Sequence, residues 1–417
     1  MATRITERYS YKTDIITAYD GHEQRIKTRQ YPRRTLSYDY DAMAPEEAQW
    51  LRAQLRLRQS DTMFIPMWHR VARLYQDFFA GRIWRIEPND MYGFLGAEGI
   101  EVFHYDDVTG ANNVNVQKII ESYAGNNIIM TSTTLTKHLN KKNTWIYPLI
   151  RCTTQPTQGL NYVFANGTTV TMNFEDVLYD GVPRLPSEIT DNYRYDLVPQ
   201  FNRFNLPEIY EEREVLLNNP QWVDDSSNTL SIEKLTYKAD NDTGIFRYDL
   251  KNDRTYDSHS VTFLLRNRAM IDNFLKFFKK QAGMYKSFWM PSWVSDFNPV
   301  RDMNSGDNFI IVDLISLDWY YLSNGRKKKL IIFTNDWQSE IYDISTYTRI
   351  TEGNRQYGKI ILSRNIGKDI PLRSFRQASY LNLVRFNSDE LQIDYETDDL
   401  ATVNITVKEV DDLDVVS

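Results

Sequence analysis

The feature that most constrains the fold is a short aromatic segment that occurs twice. Residues 63–68 read MFIPMW and residues 288–293 read FWMPSW. Both follow the order apolar, aromatic, apolar, proline, small or flexible, tryptophan. Pro66 and Pro291 are 225 residues apart, and so are Trp68 and Trp293. Because a fixed internal period indicates a repeated unit, this spacing predicts two divergent copies of one module.

A helix is predicted directly before each aromatic segment. In the first copy, proline and two acidic residues at 45–47 are typical of a helix N-terminus. In the second copy, Gly283 is a natural C-terminal stop. Apolar residues at helical spacing form a stripe in both copies. The stripes are Ala48, Leu51 and Leu55, then Trp50 and Leu57, in the first, and Met270, Phe274, Phe277, Phe278 and Ala282 in the second.

Strand-like stretches surround each helix in the same order. The first lies just before the helix, and three more follow the aromatic segment, with the apolar alternation of half-buried strands. The matching pairs are 35–40 with 260–265, 127–131 with 359–363, 147–152 with 381–386, and 168–174 with 401–407. Several similar stretches in one order favour a repeat over chance.

The domain organisation follows from the repeat. A chain of 417 residues suits two domains. We predict a first module over 1–178, a connecting arm over 179–230 and a second module over 231–417. The arm contains four X-Pro pairs, which favour extended backbone. Two interpretations stand: the arm is pinned by Trp222 and its tyrosines, or it is a mobile linker.

The predicted fold class is α+β and β-rich. Each module has one helix and antiparallel strands grouped apart from it, which favours a small sandwich or barrel-like part. Asn166-Gly167 and Asn324-Gly325 are hairpin signals. The basic run 326–329 follows the second signal, so we interpret it as a charged hairpin tip rather than a nucleic-acid patch.

Composition narrows the function classes. A net charge of −7 argues against general nucleic-acid affinity, which depends on neutralising phosphates. Cys152 is the only cysteine, so neither an internal disulfide nor a Cys-based metal site is expected. The sequence shows no apolar stretch of membrane-spanning length and no apolar leader, so we expect synthesis in a cytoplasm.

A search for catalytic motifs yields no set of residues. The histidines lack metal-ligand spacing, and we interpret each as a surface or interface residue. We interpret the acidic pairs at 106–107, 224–225 and 398–399 as solvated turns. We therefore predict no enzyme, no cofactor and no metal site, with a glycosidase using two distant carboxylates as the open alternative. The five histidines are His22, His69, His104, His138 and His259.

The aromatic segments supply the candidate site. Aromatic residues make up 13% of the chain, and such side chains are enriched at protein interfaces. Two interpretations stand for the segments: they cap the core beneath the helix, or they present large rings to a neighbouring subunit. The candidate core or subunit-interface anchors are Phe64, Pro66, Trp68, Phe288, Trp289, Pro291 and Trp293.

These segments resemble those of a known family. Residues 19–26 with 32–34, and residues 266–274 with the aromatic segment at 287–293, are similar to tail-tip structural proteins of tailed bacteriophages. A helix followed by an F-W-x-P-x-W segment recurs in distal-tail-like and minor tail proteins. The resemblance covers the strand, helix and aromatic parts of both copies, and the connecting arm poorly. It carries no active-site residues.

The resemblance implies a structural virion protein at the distal end of the tail or baseplate, made in the cytoplasm of a bacterial host. Its implied partners are the tail tube, the hub and a receptor-binding protein or fibre. It further implies a homo-oligomeric ring, in which either three chains present six modules or six chains assemble. The alternative function is a phage-associated protein that binds or degrades host-surface polysaccharide.

Overall fold

The computed structural model describes residues 4–18, 21–87, 93–94, 96–107, 110–123, 127–155, 158–164, 167–177, 209–221, 228–240, 244, 246–313, 328–411 and 415–416. The fold is β-rich, with 61% of residues in strands and 12% helical. Most strands belong to antiparallel sheets, as predicted. Several predicted features lie outside the described residues: Asn166, Trp222, residues 224–225 and residues 324–327.

The first half of the chain contains one α-helix among thirteen strands. Its elements are β1 (Arg4–Ser10), β2 (Thr13–Thr17), β3 (Glu23–Lys27), β4 (Arg33–Met43), α1 (Pro45–Arg58), β5 (Thr62–Pro66), β6 (Ala72–Arg73), β7 (Phe78–Arg85), β8 (Gly99–Asp106), β9 (Ala111–Tyr123), β10 (Ile128–Leu139), β11 (Thr144–Thr154), β12 (Gly159–Phe164) and β13 (Gly167–Asp176).

The second half, as far as the structure describes it, also contains one α-helix. Its elements are β14 (Ile209–Tyr210), β15 (Arg213–Glu214), β16 (Asn228–Asp240), β17 (Phe246–Leu265), α2 (Arg268–Gln281), β18 (Ser287–Pro291), β19 (Phe309–Asp313), β20 (Lys329–Thr334), β21 (Ser339–Glu352), β22 (Arg355–Leu362), β23 (Phe375–Phe386), β24 (Glu390–Tyr395), β25 (Ala401–Glu409) and β26 (Val415–Val416).

Both helices begin at capped N-termini. At α1, Pro45 takes the first helical position, and the Glu47 carboxylate accepts a hydrogen bond from the Ala44 amide at 3.1 Å. At α2, the Asn267 side chain accepts from the Met270 amide at 2.8 Å. Helix α2 ends in two left-handed residues, Ala282 and Gly283, with φ of 54° and 67°. The predicted helices and their positions are confirmed.

Eight strands form one continuous antiparallel sheet, called here the main sheet. Their order is β16·β17·β25·β24·β1·β4·β13·β12. Strand β1 is the junction, because it pairs with β4 of its own half on one side and with β24 of the other half on the other. Within the part of the chain that the structure describes, β16 pairs only with β17 and β12 only with β13, so these two strands are the ends of the sheet.

The remaining long strands form a smaller β region in each half. In the first half, β11 pairs with β5 and β8, β8 with β9, β9 with β10, and β10 with β7. In the second half, β23 pairs with β18 and β20, β20 with β21, β21 with β22, and β22 with β19. Each β region encloses its own apolar cluster, around Trp84 and Tyr342 respectively.

The largest apolar cluster takes residues from both halves. It surrounds α2 and includes Leu36, Tyr38 and Phe174 together with Phe274 and Phe278. The described part of the connecting arm, 209–221, contributes to the same cluster. Its buried stretch at 215–217 lies beside β18, where the Leu216 amide donates to the Trp289 carbonyl at 2.8 Å. These residues of the arm are therefore pinned, as the first interpretation requires.

The chain reversal after α2 depends on a glycine. Gly283 has a φ of +67°, and a Cβ there would lie 2.5 Å from Asp389 Oδ1 and 3.1 Å from Asp389 Cα. The Asp389 carboxylate also accepts hydrogen bonds from the Met284 amide at 2.9 Å and from the Thr13 hydroxyl at 2.9 Å. This carboxylate therefore joins the end of α2 to the N-terminal strands.

Replacing Gly283 with Ala should lower the free energy of unfolding by about 1–3 kcal/mol, because backbone strain and a displaced Asp389 add together. Urea denaturation measures the loss. Gly306→Ala is the matched control, since no atom lies within 4 Å of a Cβ there and its φ is not positive. Equal stability losses in the two variants would contradict the proposed role of Gly283.

Candidate functional site

The two predicted aromatic segments have different environments. In the second, Phe288, Trp289, Pro291 and Trp293 are all buried. In the first, Pro66 and Trp68 are half-buried, and Phe64 is 52% exposed. The two segments lie on strands of different sheet regions, β5 and β18, and the structure does not bring them together as one site.

The second segment is a core element. The Phe288 ring contacts Phe277 of α2 edge-to-face, with centroids 4.9 Å apart. Trp289 donates from its indole nitrogen to the Tyr210 carbonyl at 3.0 Å. Trp293 adopts a left-handed backbone with φ of 60° and stacks on Phe333 at 5.4 Å. Since bulky residues rarely adopt this backbone, dense packing must hold Trp293 in place.

The first segment lies beside an open groove. Trp68 stacks on Tyr38 with centroids 5.3 Å apart, while the Phe64 ring points outward beneath the Arg151 guanidinium. Between this segment and α1 lies a groove of about 860 Å³, called here the α1 groove. Its apolar lining residues are Tyr40, Trp50, Leu51, Leu55, Met63, Phe64, Trp68, Met172 and Phe174.

The α1 groove exists because α1 is covered far less than α2. Ala48 is the one fully buried residue of α1, whereas α2 has ten. Leu51 and Leu55 of the predicted stripe are half-buried, but Trp50 is 64% exposed and Leu57 is 75% exposed. The expectation that the whole stripe faces the core is therefore wrong for Trp50 and Leu57. Their positions off the main stripe were the available signal.

The N-terminal strand covers the equivalent face of α2. Tyr11 places its ring 5.8 Å from that of Phe278 and donates its hydroxyl to the Lys279 carbonyl at 3.2 Å. The Lys279 ammonium lies 4.5 Å from the centre of the Tyr9 ring. Both tyrosines are buried by this contact. What closes α2 is therefore the segment that leaves the junction strand β1.

A buried ionic cluster, which the sequence reasoning missed, joins the two halves at β1. This Glu7 cluster consists of Glu7, Arg34, His69, Arg70, Asp272 and Tyr395. The Glu7 carboxylate accepts hydrogen bonds from the Tyr9 hydroxyl at 2.7 Å and the Tyr395 hydroxyl at 2.9 Å. Arg70 donates to the Tyr395 hydroxyl at 2.9 Å and to the Asp272 carboxylate on α2.

The cluster keeps Glu7 ionised despite its burial. Burial opposes the charge, but His69, Arg70 and Arg34 outweigh it and hold the pKa of Glu7 well below its usual range. Burial lowers the pKa of the His69 imidazole, which lies 3.5 Å from Glu7 and stacks against Tyr395. We therefore assign a charged Glu7 beside a neutral His69 at neutral pH.

The Glu7 charge should make stability depend on pH. A folded-state pKa below the ordinary value of 4.5 stabilises the fold above that pH, and the contribution is lost as pH falls below it. At pH 7 we expect Glu7→Gln to cost about 1.5–3 kcal/mol, the range for hydrogen bonds to a charged group. The gap between the two proteins should narrow from pH 5 toward pH 3. Urea denaturation across that range measures it, and a constant gap would contradict the assignment.

Two of the five histidines lie inside the fold. His69 and His259 are buried, so their interpretation as surface or interface residues is wrong. A second buried ion pair also ties the N-terminal strands to the second half. The Arg385 guanidinium on β23 donates two hydrogen bonds to the Glu23 carboxylate on β3, at 2.7 and 2.8 Å. Such bidentate pairs fix orientation as well as charge.

The described acidic residues at 398–399 pair with α2. Arg268 donates to the Asp398 carboxylate at 2.9 Å and lies 3.4 Å from Asp399. Over the described residues, no group of three or more His, Cys, Asp or Glu side chains could hold a metal ion. Neither described helix is long and apolar enough to cross a membrane.

No protein-family model matches the chain, and no curated protein sequence is significantly similar to it. The candidate site therefore consists of what the geometry itself provides. It is an open aromatic groove on α1 at one end of a rigid sheet, with its counterpart on α2 closed by β1.

Proposed function

We propose that the chain is a tandem duplication of one module, over 1–178 and 231–417, joined by the arm at 179–230. The strand pairings described above support this, because they follow the same order in both halves. The residue that pairs with Pro66 is Leu149, and the residue that pairs with Pro291 is Leu381. Equivalent core positions thus recur at equivalent places in the two β regions.

The register of the main sheet supports the same period. Leu36 and Tyr38 on β4 lie 225 residues before Val261 and Phe263 on β17. All four are buried, and all four face the strand that closes their module, β13 or β25. The 225-residue spacing of the two prolines therefore extends across the strand before each helix.

We propose that the protein is a structural component of a bacteriophage tail tip. It would form a distal-tail-like ring that joins the tail tube to the hub or the receptor-binding proteins. The observation that carries this proposal is the aromatic helix module in two settings. One copy is sealed in a core that both halves share, and the other opens at a groove on the end of a sheet. A rigid body with such ends suits repeated subunit contacts.

Electron microscopy of phage particles with a gold-labelled antibody against the chain tests this role. We expect label at the distal end of the tail. Label on the capsid, or particles that carry no label although the chain is expressed, would overturn the proposal. In labelled particles, a reconstruction that counts three or six chains would decide between the two ring stoichiometries.

A second candidate function is binding or degradation of a host-surface polysaccharide. One observation favours it: Trp50 and Phe64 form an exposed aromatic pair in the α1 groove, next to the carboxylates of Glu46 and Glu47. Aromatic faces beside carboxylates are suited to sugars. Incubation with cell-wall and capsular polysaccharides tests it, with Trp50→Ala as the control variant. Turnover or binding that Trp50→Ala abolishes would favour this candidate.

A further inference from the structure

We propose that copies of this chain associate head to tail, with strand β16 of one copy covering the α1 groove and the β12 end of the next. The side chains that enter the groove are Leu230 and Ile232. This inference rests on the duplicated module proposed above, but not on the role in a phage tail. The chain itself contains the template for the contact, at the junction between its two halves.

The template is the way β1 joins the halves. β1 pairs with β4 on one side and β24 on the other, and Tyr9 and Tyr11 at its end cover α2. β24 is the neighbour of β25, as β12 is the neighbour of β13. A strand placed against β12 and α1 in the same way would therefore repeat a contact that already exists once in the molecule.

The register identifies β16 as the strand equivalent to β1. Tyr9 pairs with Arg34 on β4, and Leu230 pairs with His259 on β17. Arg34 and His259 are again 225 residues apart. Leu230 thus occupies the place of Tyr9, and Ile232, two residues further along, occupies the place of Tyr11.

The exposure of β16 indicates that its partner is missing. β1 alternates, with Ile5, Glu7 and Tyr9 buried, whereas every side chain of β16 from 229 to 234 is exposed. Leu230 is 54% exposed and Ile232 is 67% exposed. An edge strand that presents apolar side chains and unpaired backbone groups is a ready template for pairing with another chain.

The α1 groove is the matching acceptor. Both helices are 14 residues long, so the position of Phe278 on α2, which Tyr11 covers, corresponds to Leu55 on α1. Likewise Phe274 corresponds to Leu51. Leu51 and Leu55 both line the α1 groove. Ile232 of a second copy would therefore reach Leu55 as Tyr11 reaches Phe278.

The two surfaces differ and lie at opposite ends of the main sheet. A contact between them is heterologous, so each copy keeps one free end until a ring closes or a filament grows. A two-fold dimer, in which one surface meets itself, does not use this contact. The distinction gives the experiment its design.

The first test measures self-association of the full chain by sedimentation velocity. We expect concentration-dependent oligomers for the natural chain, and at least a tenfold weaker association for the double variant Leu230→Asp, Ile232→Asp. Trp50→Glu should weaken association from the acceptor side. The matched control is Val114→Asp, Val116→Asp, a pair of exposed residues at the same spacing on β9. A natural chain that stays monomeric, or a control that weakens association as much, would overturn the proposal.

The second test distinguishes the geometry by disulfide cross-linking. Chains that carry Ile232→Cys are mixed with chains that carry Leu55→Cys, while the native Cys152 is buried in both. We expect cross-linked pairs in the mixture and none in either variant alone. Cross-links in Ile232→Cys alone, or none in the mixture, would exclude the head-to-tail contact. Antibody labelling of particles is independent of both tests, so failure of this inference and failure of the tail-tip role can be told apart.

Discussion

Replacing Arg70 with Ala should lower the free energy of unfolding by about 3–5 kcal/mol, the cost of breaking a buried ion pair from one side. Arg70 is buried between the halves and donates to Asp272 and to the Tyr395 hydroxyl. Without it, the Asp272 carboxylate on α2 stays buried without its closest cation. Urea denaturation monitored by tryptophan fluorescence measures the loss.

A double-mutant cycle separates the ion pair from simple packing. Arg70→Met keeps most of the side-chain volume, and Asp272→Leu removes the opposing charge. We expect each single variant to be strongly destabilised and the double variant to recover much of the loss, because no buried charge is then left uncompensated. Purely additive losses would show that Arg70 acts through its volume rather than through its charge.

Replacing Trp293 with Ala should also cost about 3–5 kcal/mol, the range for truncating a large buried aromatic side chain. Trp293 stacks on Phe333 and belongs to the shared cluster around α2. Thermal unfolding of the purified chain measures the effect. Trp293→Phe keeps a ring in the stack and should recover at least half of the loss.

Trp50→Ala is the control for size and residue type, since Trp50 is exposed on α1. We expect it to change stability by less than about 0.5 kcal/mol, as is usual at exposed positions. If Trp293→Ala leaves the melting temperature unchanged, the second aromatic segment is not the core element described above. A large loss in Trp50→Ala would contradict the open α1 groove.

The sequence predicted the elements around each aromatic segment. The strand before the helix, the helix starting at Pro45 and the left-handed stop at Gly283 follow from local chemistry, because caps and glycines act within a few residues. The apolar alternation of 168–174 and 401–407 likewise predicted β13 and β25. These features are local, and a single sequence contains enough information to find them.

The sequence did not predict the Glu7 cluster, because its members lie in five separate elements. Nothing near Glu7 in the sequence distinguishes it from an exposed charge on an alternating strand. Its burial follows only from β1 lying between β4 and β24, next to Arg70 and α2. The same placement explains why His69 is buried rather than exposed.

The aromatic segments show both limits together. By itself the sequence determined their spacing, the helix before each, and the proline that keeps them extended, since these depend on neighbouring residues. Only the tertiary structure decided that Phe288, Trp289 and Trp293 are core while Phe64 faces an open groove. The physical reason is that burial depends on what covers a surface. α2 is covered by β1, which is 260 residues away in the sequence, and no described part of the chain covers α1 in the same way.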